Sequence, residues 1–352
     1  MPAAALRRHR TVVLVVLDGL GYQYLAARGS GGFLHRRLRA RLTSGFPTTT
    51  SSSVATFATG VAADRHGITG WFTHLPELGV VSTILMARPR VGGPPFSRSG
   101  VDFTGLVLAG PLYDRLRATS IVITQRSIAY GDFSAANSGS ATVRTYSTLG
   151  GFIDRIVSAV RSGRGDTFIS AYWPGFDHLC HHRGIGHALV TRHFRELDRA
   201  MAGLASRLAA TGAVLLVTAD HGLVDTPRDR LIDLADHPPL AACLTLPLCG
   251  EPRLAYCYVR PDMLQQFKRY VRDRLGQCCD LRTRAQLVRQ GYYGAGQADP
   301  RFAGRIGDFI LVMKPGWCIK DFLPNEARFF LKANHGGVTA DEMYVPLVVV
   351  TP

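Results

Sequence analysis

Continuous apolar runs bounded by turn residues recur at 12–17, 167–172, 213–218 and 344–350. Runs of this length without polar alternation are the pattern of strands buried on both faces. Helical spacings lie between them, at 147–162 and 188–210. Strands alternating with helices predict an α/β fold around a mostly parallel sheet. The stretch 225–330 has another character. Pro238, Pro239 and Pro247 interrupt it, and it then offers a strand-like 254–260, an amphipathic 261–276 and a second strand at 307–314. It reads as a small α+β insert, with the main unit made of 1–224 and 331–352. Gly, Pro and Ser crowd residues 70–140, which read as loops over a site. No internal repeat is visible.

In a sheet of this kind ligands gather beyond the carboxyl ends of the strands. There the runs end in LDG (Asp18), YWPGFD (Asp177) and TADHG (Asp220, His221). One Asp after a strand is ordinarily a turn or helix cap. Three in succession, two of them beside histidines, point to chemistry instead. Asp177-x-x-x-His181 sets a carboxylate and an imidazole one helical turn apart, able to face one cation, and this spacing selects His181 over His178, His182 and His187. The late ANHGG adds His335, with two glycines that permit close backbone approach. Carboxylates mixed with imidazoles and no thiolate suit zinc, manganese or iron in a reactive centre. Six candidate ligands are too many for one catalytic ion with an open position, so two ions are expected. The segment FPTTTSSSVATFATG at 46–60 places several hydroxyls before a helical spacing. Its ordinary reading is a Ser/Thr cap; its functional reading is a nucleophile at a helix N-terminus, where free amides favour anions.

Composition narrows the field further. The 352 residues are 46% hydrophobic and 19% charged, enough for a substantial core and incompatible with a disordered or collagen-like chain. Basic residues outnumber acidic ones 41 to 26, for a net charge of +15, and only Lys268, Lys314, Lys320 and Lys332 are lysines. The arginines are scattered rather than blocked, which favours small anionic substrates over nucleic acid as the main partner. Seven cysteines without a CxxC pair read as free thiols of a reducing compartment. The basic, apolar start resembles a signal peptide, but its apolar run is short and meets Asp18, so it reads as a buried strand and the chain is expected in the cytoplasm. No run approaches the roughly 20 apolar residues of a membrane span.

LDG, FPTTT, D-x-x-x-H-x-x-G, ADHG and HGG, in this order, resemble the alkaline phosphatase superfamily, and within it the type I phosphodiesterase/nucleotide pyrophosphatase family. The resemblance runs from about residue 12 to 350. It implies a three-layer α/β/α sandwich, with Asp18, Asp220, His221 and Thr50 on one ion and Asp177, His181 and His335 on the other, zinc in first place and manganese or iron as alternatives. It implies Thr50, four residues after Phe46, as the nucleophile, and a phosphothreonine-type intermediate in the hydrolysis of a small phosphoester or nucleotide. Two departures stand out. Ser53 occupies the position of an Asn that binds a phosphate oxygen in eukaryotic nucleotide pyrophosphatases, and Thr49 that of a lysine. A phosphomonoesterase or a phosphonoacetate-type phosphonate hydrolase would use the same core, and a catalytically silent polyanion-binding protein is the alternative from another class. The pocket decides among the enzymes. A diesterase needs an apolar wall, for which Trp71, Phe72 and Tyr172 are candidates; a monoesterase needs added positive charge, for which Arg88, Arg90 and Arg183 are candidates.

Overall fold

The computed structural model describes residues 3–324 and 326–351. Met1, Pro2 and Pro352, assigned to the main unit above, and Asn325, assigned to the insert, lie outside the described residues.

The central sheet has seven strands, in the order Leu38–Thr43, Tyr344–Val350, Val214–Thr218, Thr11–Leu17, Thr167–Trp173, Thr119–Gln125 and Thr142–Tyr146. All run parallel except Tyr344–Val350, which is antiparallel to both neighbours. The apolar runs are therefore central strands, as their lack of alternation requires. Val13, Val15, Leu17 and Ile169 point to one face, where they pack beneath Phe152 and Ile156 of helix Leu149–Ser162 and Phe194, Leu197 and Met201 of helix Ala188–Leu208. On the opposite face Val122 and Phe168 meet Ala58 of helix Thr50–Thr59 and Tyr113. Helices thus cover both faces, the expected three-layer α/β/α sandwich. Among the described residues no helix is long and apolar enough to cross a membrane, and all seven cysteines are free and buried.

A second seven-stranded sheet is antiparallel throughout, ordered Cys279–Thr283, Phe309–Met313, Leu254–Cys257, Cys249–Glu251, Phe72–Leu75, Val80–Thr83, Arg88–Pro89. Four strands come from the insert, and three from the region read as loops. Phe72–Leu75 and Val80–Thr83 form a hairpin around Pro76 and Gly79, and Phe72 pairs with Gly250 of the insert. Each is four residues long, too short to announce itself as a strand amid turn-forming residues. The amphipathic 261–276 also differs from a plain helix: Leu264–Tyr270 is α-helical and Val271–Leu275 widens to a π-helix.

Candidate active site

Strands Val214–Thr218, Thr11–Leu17 and Thr167–Trp173 are adjacent and parallel, so their carboxyl ends share one edge of the central sheet. Asp18 and Asp220 leave the sheet there, and Asp177 follows on the first turn of helix Gly175–Arg183. Gly19 allows the close packing: it adopts φ +74°, and a Cβ on it would lie 2.9 Å from Asp177 Cβ. Its amide donates to Asp220 Oδ1 at 3.0 Å, as does the amide of His221. Tyr172 donates its hydroxyl to Asp18 Oδ2, so this aromatic candidate orients a carboxylate. His335 directly follows the two-residue strand Ala333–Asn334, which pairs with Val224–Asp225.

Each histidine is held by its Nδ1 against a backbone carbonyl: His181 on Ala333 at 2.6 Å, His221 on Gly222 at 3.0 Å, His335 on Thr48 at 3.0 Å. This arrangement orients a metal-ligating imidazole and leaves Nε2 for the site. Nε2 of His221 lies 3.1 Å from Thr50 Oγ1 and 3.5 Å from both Asp18 Oδ1 and Asp220 Oδ2. Asp18, Asp220 and His221 form one compact group of donors, and Asp177, His221 and His335 a second. His181 joins through Asp177, 3.1 Å from Nε2 to Oδ2. All six expected ligands and Thr50 are thus brought together.

The electrostatics are those of a buried cluster of like charges. Burial, then the charges of Asp220 and Asp177, hold the Asp18 carboxyl well above its ordinary range. For Asp177 burial is outweighed by His181, then His335 and His221, and its carboxyl stays below the usual range. His181 rises to about 9, burial being overcome by Asp177, whereas burial and the neighbouring His221 keep His335 well below an ordinary histidine. Asp18 Oδ1, Asp177 Oδ1 and Asp220 Oδ2 are buried with no hydrogen-bond donor. Buried carboxylate oxygens without donors are costly. Facing inward-pointing imidazoles and no thiolate, they fit hard divalent cations.

Thr50 begins helix Thr50–Thr59, and Thr49 is its N-cap. Thr49 supplies no side-chain cap because its hydroxyl donates to Glu251 Oε1, leaving the first-turn amides open to an anion. Thr48 secures the His335 loop: its hydroxyl donates to Gly337 O at 2.8 Å and accepts from the Gly336 amide at 3.1 Å.

Two expected groups, Ser53 and Arg183, lie outside the cavity lining, and a third, Arg90, lines it with its charge already engaged. Ser53 is buried and donates to Asp220 O at 3.1 Å, so it braces the Asp220 turn instead of facing the cavity. Arg90 is buried and commits its guanidinium to Asp321, Glu326 and Leu248 O, so it offers no free charge. Arg183 is exposed at a helix end, outside the cavity lining; Arg88 does line it.

Glu251, which the sequence reading missed, receives both Thr49 and, at 2.7 Å, the Trp71 amide. Burial pushes its carboxyl up to about 7 although both donors oppose this. A Cβ on Gly336 would come within 2.4 Å of Glu251 Cβ, so the glycine after His335 is fixed by this contact. Arg253 and Glu342, both fully buried, pair at 2.8 Å, and Glu342 also accepts the Gly337 amide at 2.8 Å. No spacing marks these residues, because their partners are far away in the chain.

Asp18, Thr50, Asp177, His181 and His335 line a cavity of about 1030 Å³, walled also by Trp71, Phe72, Leu85, Met86 and Phe329. The fold is that of the alkaline phosphatase superfamily. The chain belongs to the type I phosphodiesterase / nucleotide pyrophosphatase family, whose model matches residues 12–337. It is similar in structure to murine ectonucleotide pyrophosphatase / phosphodiesterase 5 (TM-score 0.73, 18% identity, 97% of this chain and 88% of that one). An inactive threonine-to-alanine form of the murine protein in complex with AMP matches at TM-score 0.70 and 19% identity, over 96% of this chain and 87% of that one. Phosphonoacetate hydrolase from Sinorhizobium meliloti 1021, in complex with phosphonoformate, matches at TM-score 0.69 and 19% identity, over 97% and 90%. No protein of curated function matches the sequence.

Proposed function

We propose that this chain is a two-metal phosphodiesterase with Thr50 as nucleophile. The observation that carries the reading is the position of Thr50 Oγ1, at an uncapped helix N-terminus and 3.1 Å from His221 Nε2, beside buried carboxylate oxygens that lack donors. Asp18, Asp220, His221 and Thr50 would hold one ion, and Asp177, His181 and His335 the other, with zinc the first choice. Two such ions, when bound, acidify the Thr50 hydroxyl and neutralise charge on the phosphoryl group. Thr50 Oγ1 attacks phosphorus as it gives up its proton, one ester P–O bond breaks, and that group leaves as the alcohol with a proton, so the phosphothreonine formed still carries the second ester group. Water then cleaves the bond between phosphorus and Thr50 Oγ1, releasing the phosphomonoester and restoring the Thr50 hydroxyl. The open amides at the start of helix Thr50–Thr59 are placed to receive phosphoryl oxygens.

The apolar wall supports a diester over a monoester. The inactive threonine-to-alanine relative, which binds AMP, is in keeping with this reading. The test compares bis(p-nitrophenyl) phosphate with p-nitrophenyl phosphate, using protein reconstituted with zinc or manganese. Faster cleavage of the diester is expected, lost by about a thousandfold or more in Thr50→Ala. Near-normal turnover by metal-loaded Thr50→Ala overturns the covalent route. Preference for the monoester makes the protein a phosphatase, and silence on both, with metal bound, moves the search to phosphonates such as phosphonoacetate.

A further inference from the structure

Two cations of the cavity wall are in opposite states. Arg90 is saturated: Nε and a terminal nitrogen hold Glu326 at 2.8 Å, the latter also holds Asp321 at 2.7 Å, and the other terminal nitrogen donates to Leu248 O. The remaining acceptors of those carboxylates are also engaged, Asp321 Oδ2 by the Leu248 amide and Glu326 Oε2 by the Leu323 amide. Lys320, the neighbour of Asp321, lines the same cavity, yet among the described residues its ammonium has no hydrogen-bond acceptor and no carboxylate within ion-pair distance. It rests instead on aromatic faces, 3.8 Å from the Phe329 centroid and 5.0 Å from Phe322.

The backbone holds Lys320 firmly. Strand Cys318–Lys320 pairs in parallel with Leu231–Asp233, and the Ile319 amide donates to Pro252 O at 2.8 Å, next to Glu251. Lys320 is therefore tied to the turn that braces Thr49 and reaches the cavity from the insert side. Arg90, Asp321 and Glu326 together carry one negative charge, which Lys320 balances at range; Arg88 lines the same cavity. Burial lowers the Lys320 pKa, as expected of an ammonium with part of its hydration removed and no partner in its place. Cation–π contact replaces only part of that hydration, and an ammonium offers three donors.

We infer that Lys320 is the anion-binding end of a second substrate subsite, which takes an ester arm with an apolar or aromatic body and a carboxylate or phosphate at its tip. Trp71, Phe72 and Phe329 receive the body, the metal-ligand cluster receives the reacting phosphoryl group, and Lys320 receives the distal anion. This rests on the phosphodiesterase reading and narrows its substrate class to diesters carrying a further negative charge.

The test uses three aryl diesters: 4-nitrophenyl phenyl phosphate and the same ester with a carboxylate or a phosphate on the phenyl ring. Binding is measured by calorimetry to zinc-loaded Thr50→Ala protein, where turnover does not interfere. The charged esters are expected to bind about tenfold more tightly than the neutral one, on the scale of one charge-assisted hydrogen bond. The tighter of the two identifies the anion. In the Thr50→Ala/Lys320→Met double variant that ratio falls to within about twofold, while Lys320→Arg keeps most of it and Arg274→Met, which removes an exposed charge, keeps all of it. Lys320→Gln serves as the second neutral variant should Met disturb folding. With Thr50 intact, Lys320→Met raises KM for the charged esters more than it lowers kcat. Equal binding of neutral and charged esters, or a preference that survives both Lys320→Met and Lys320→Gln, overturns the assignment. If protein with Thr50 intact cleaves none of the esters while the Lys320-dependent preference persists, the proposed reaction falls and the anion site stands.

Discussion

The two sheets meet at one cavity and contribute to it by different routes. The parallel sheet delivers Asp18, Asp177, Asp220 and His221 because three adjacent strands end at the same edge, and the turn or first helical turn that follows each carries an acidic residue. The antiparallel sheet delivers Trp71, Phe72 and Glu251 because a hairpin at 72–83 pairs with a strand some 170 residues later. The first route is local: strand end, then ligand. The second exists only when distant segments pair. Reactivity and selectivity are thus built on separate supports, and a change in the wall can alter what is bound without moving the ligands.

Variants can break or sharpen this division. The largest effect is expected at the parallel edge: metal-loaded Asp220→Asn loses about a thousandfold or more in kcat/KM on an aryl diester, since a metal ion contributes several kcal/mol to the transition state. Its circular dichroism spectrum stays native, because Asn still accepts the Gly19 and His221 amides. A small loss of rate would show that the cluster is structural rather than reactive.

The next effect joins the two supports. Arg253, at the start of a strand of the second sheet, pairs with Glu342 beside the final strand of the first, both fully buried. Arg253→Met leaves Glu342 charged, buried and without its cation, at a cost of about 3–5 kcal/mol read by denaturant unfolding. Arg253→Met/Glu342→Leu loses less than the two single changes added together, as a direct pair requires. Strict additivity would mean that the sheets are joined elsewhere.

The effect that is smallest at neutral pH lies beneath helix Thr50–Thr59 and emerges only as pH falls. His66 is fully buried; its Nδ1 accepts the Ile68 amide at 3.1 Å, so the neutral ring carries its proton on Nε2, 3.0 Å from Thr56 Oγ1. Burial, then Arg305, lower its pKa to about 3 from the ordinary 6.5. Between those values the unfolded chain binds a proton that the folded one refuses. The contribution of His66 is therefore fully present above pH 6.5 and is lost as pH falls toward 3, at up to about 1.4 kcal/mol per pH unit. His66→Gln flattens that part of the stability-against-pH curve. An unchanged slope would mean that His66 is protonated in the folded protein.

The same division explains what could be read in advance. The α/β class, the edge carrying the acidic residues, the choice of His181 and the late His335 all follow from local patterns: apolar runs, turn signals and a one-turn helical spacing. The partners of Ser53 and Arg90 are not legible in advance, because the sequence gives a residue's type but not what it binds. Ser53 faces Asp220 O, and Arg90 meets carboxylates more than 230 residues away. The hairpin at 72–83 was read as loop because four-residue strands between Pro and Gly carry too little periodicity.

By itself, then, the sequence determined the central strands and the acidic residues that gather at their edge, since a strand buried on both faces and a carboxylate placed after it are both local facts. Tertiary structure alone decided which cations are paired, that Phe329 joins Trp71 and Phe72 on the cavity wall, and that Glu251 and Lys320 stand beside the site. Those properties depend on contacts closed over long loops, and no spacing along the chain encodes which distant group fills a given hydrogen bond.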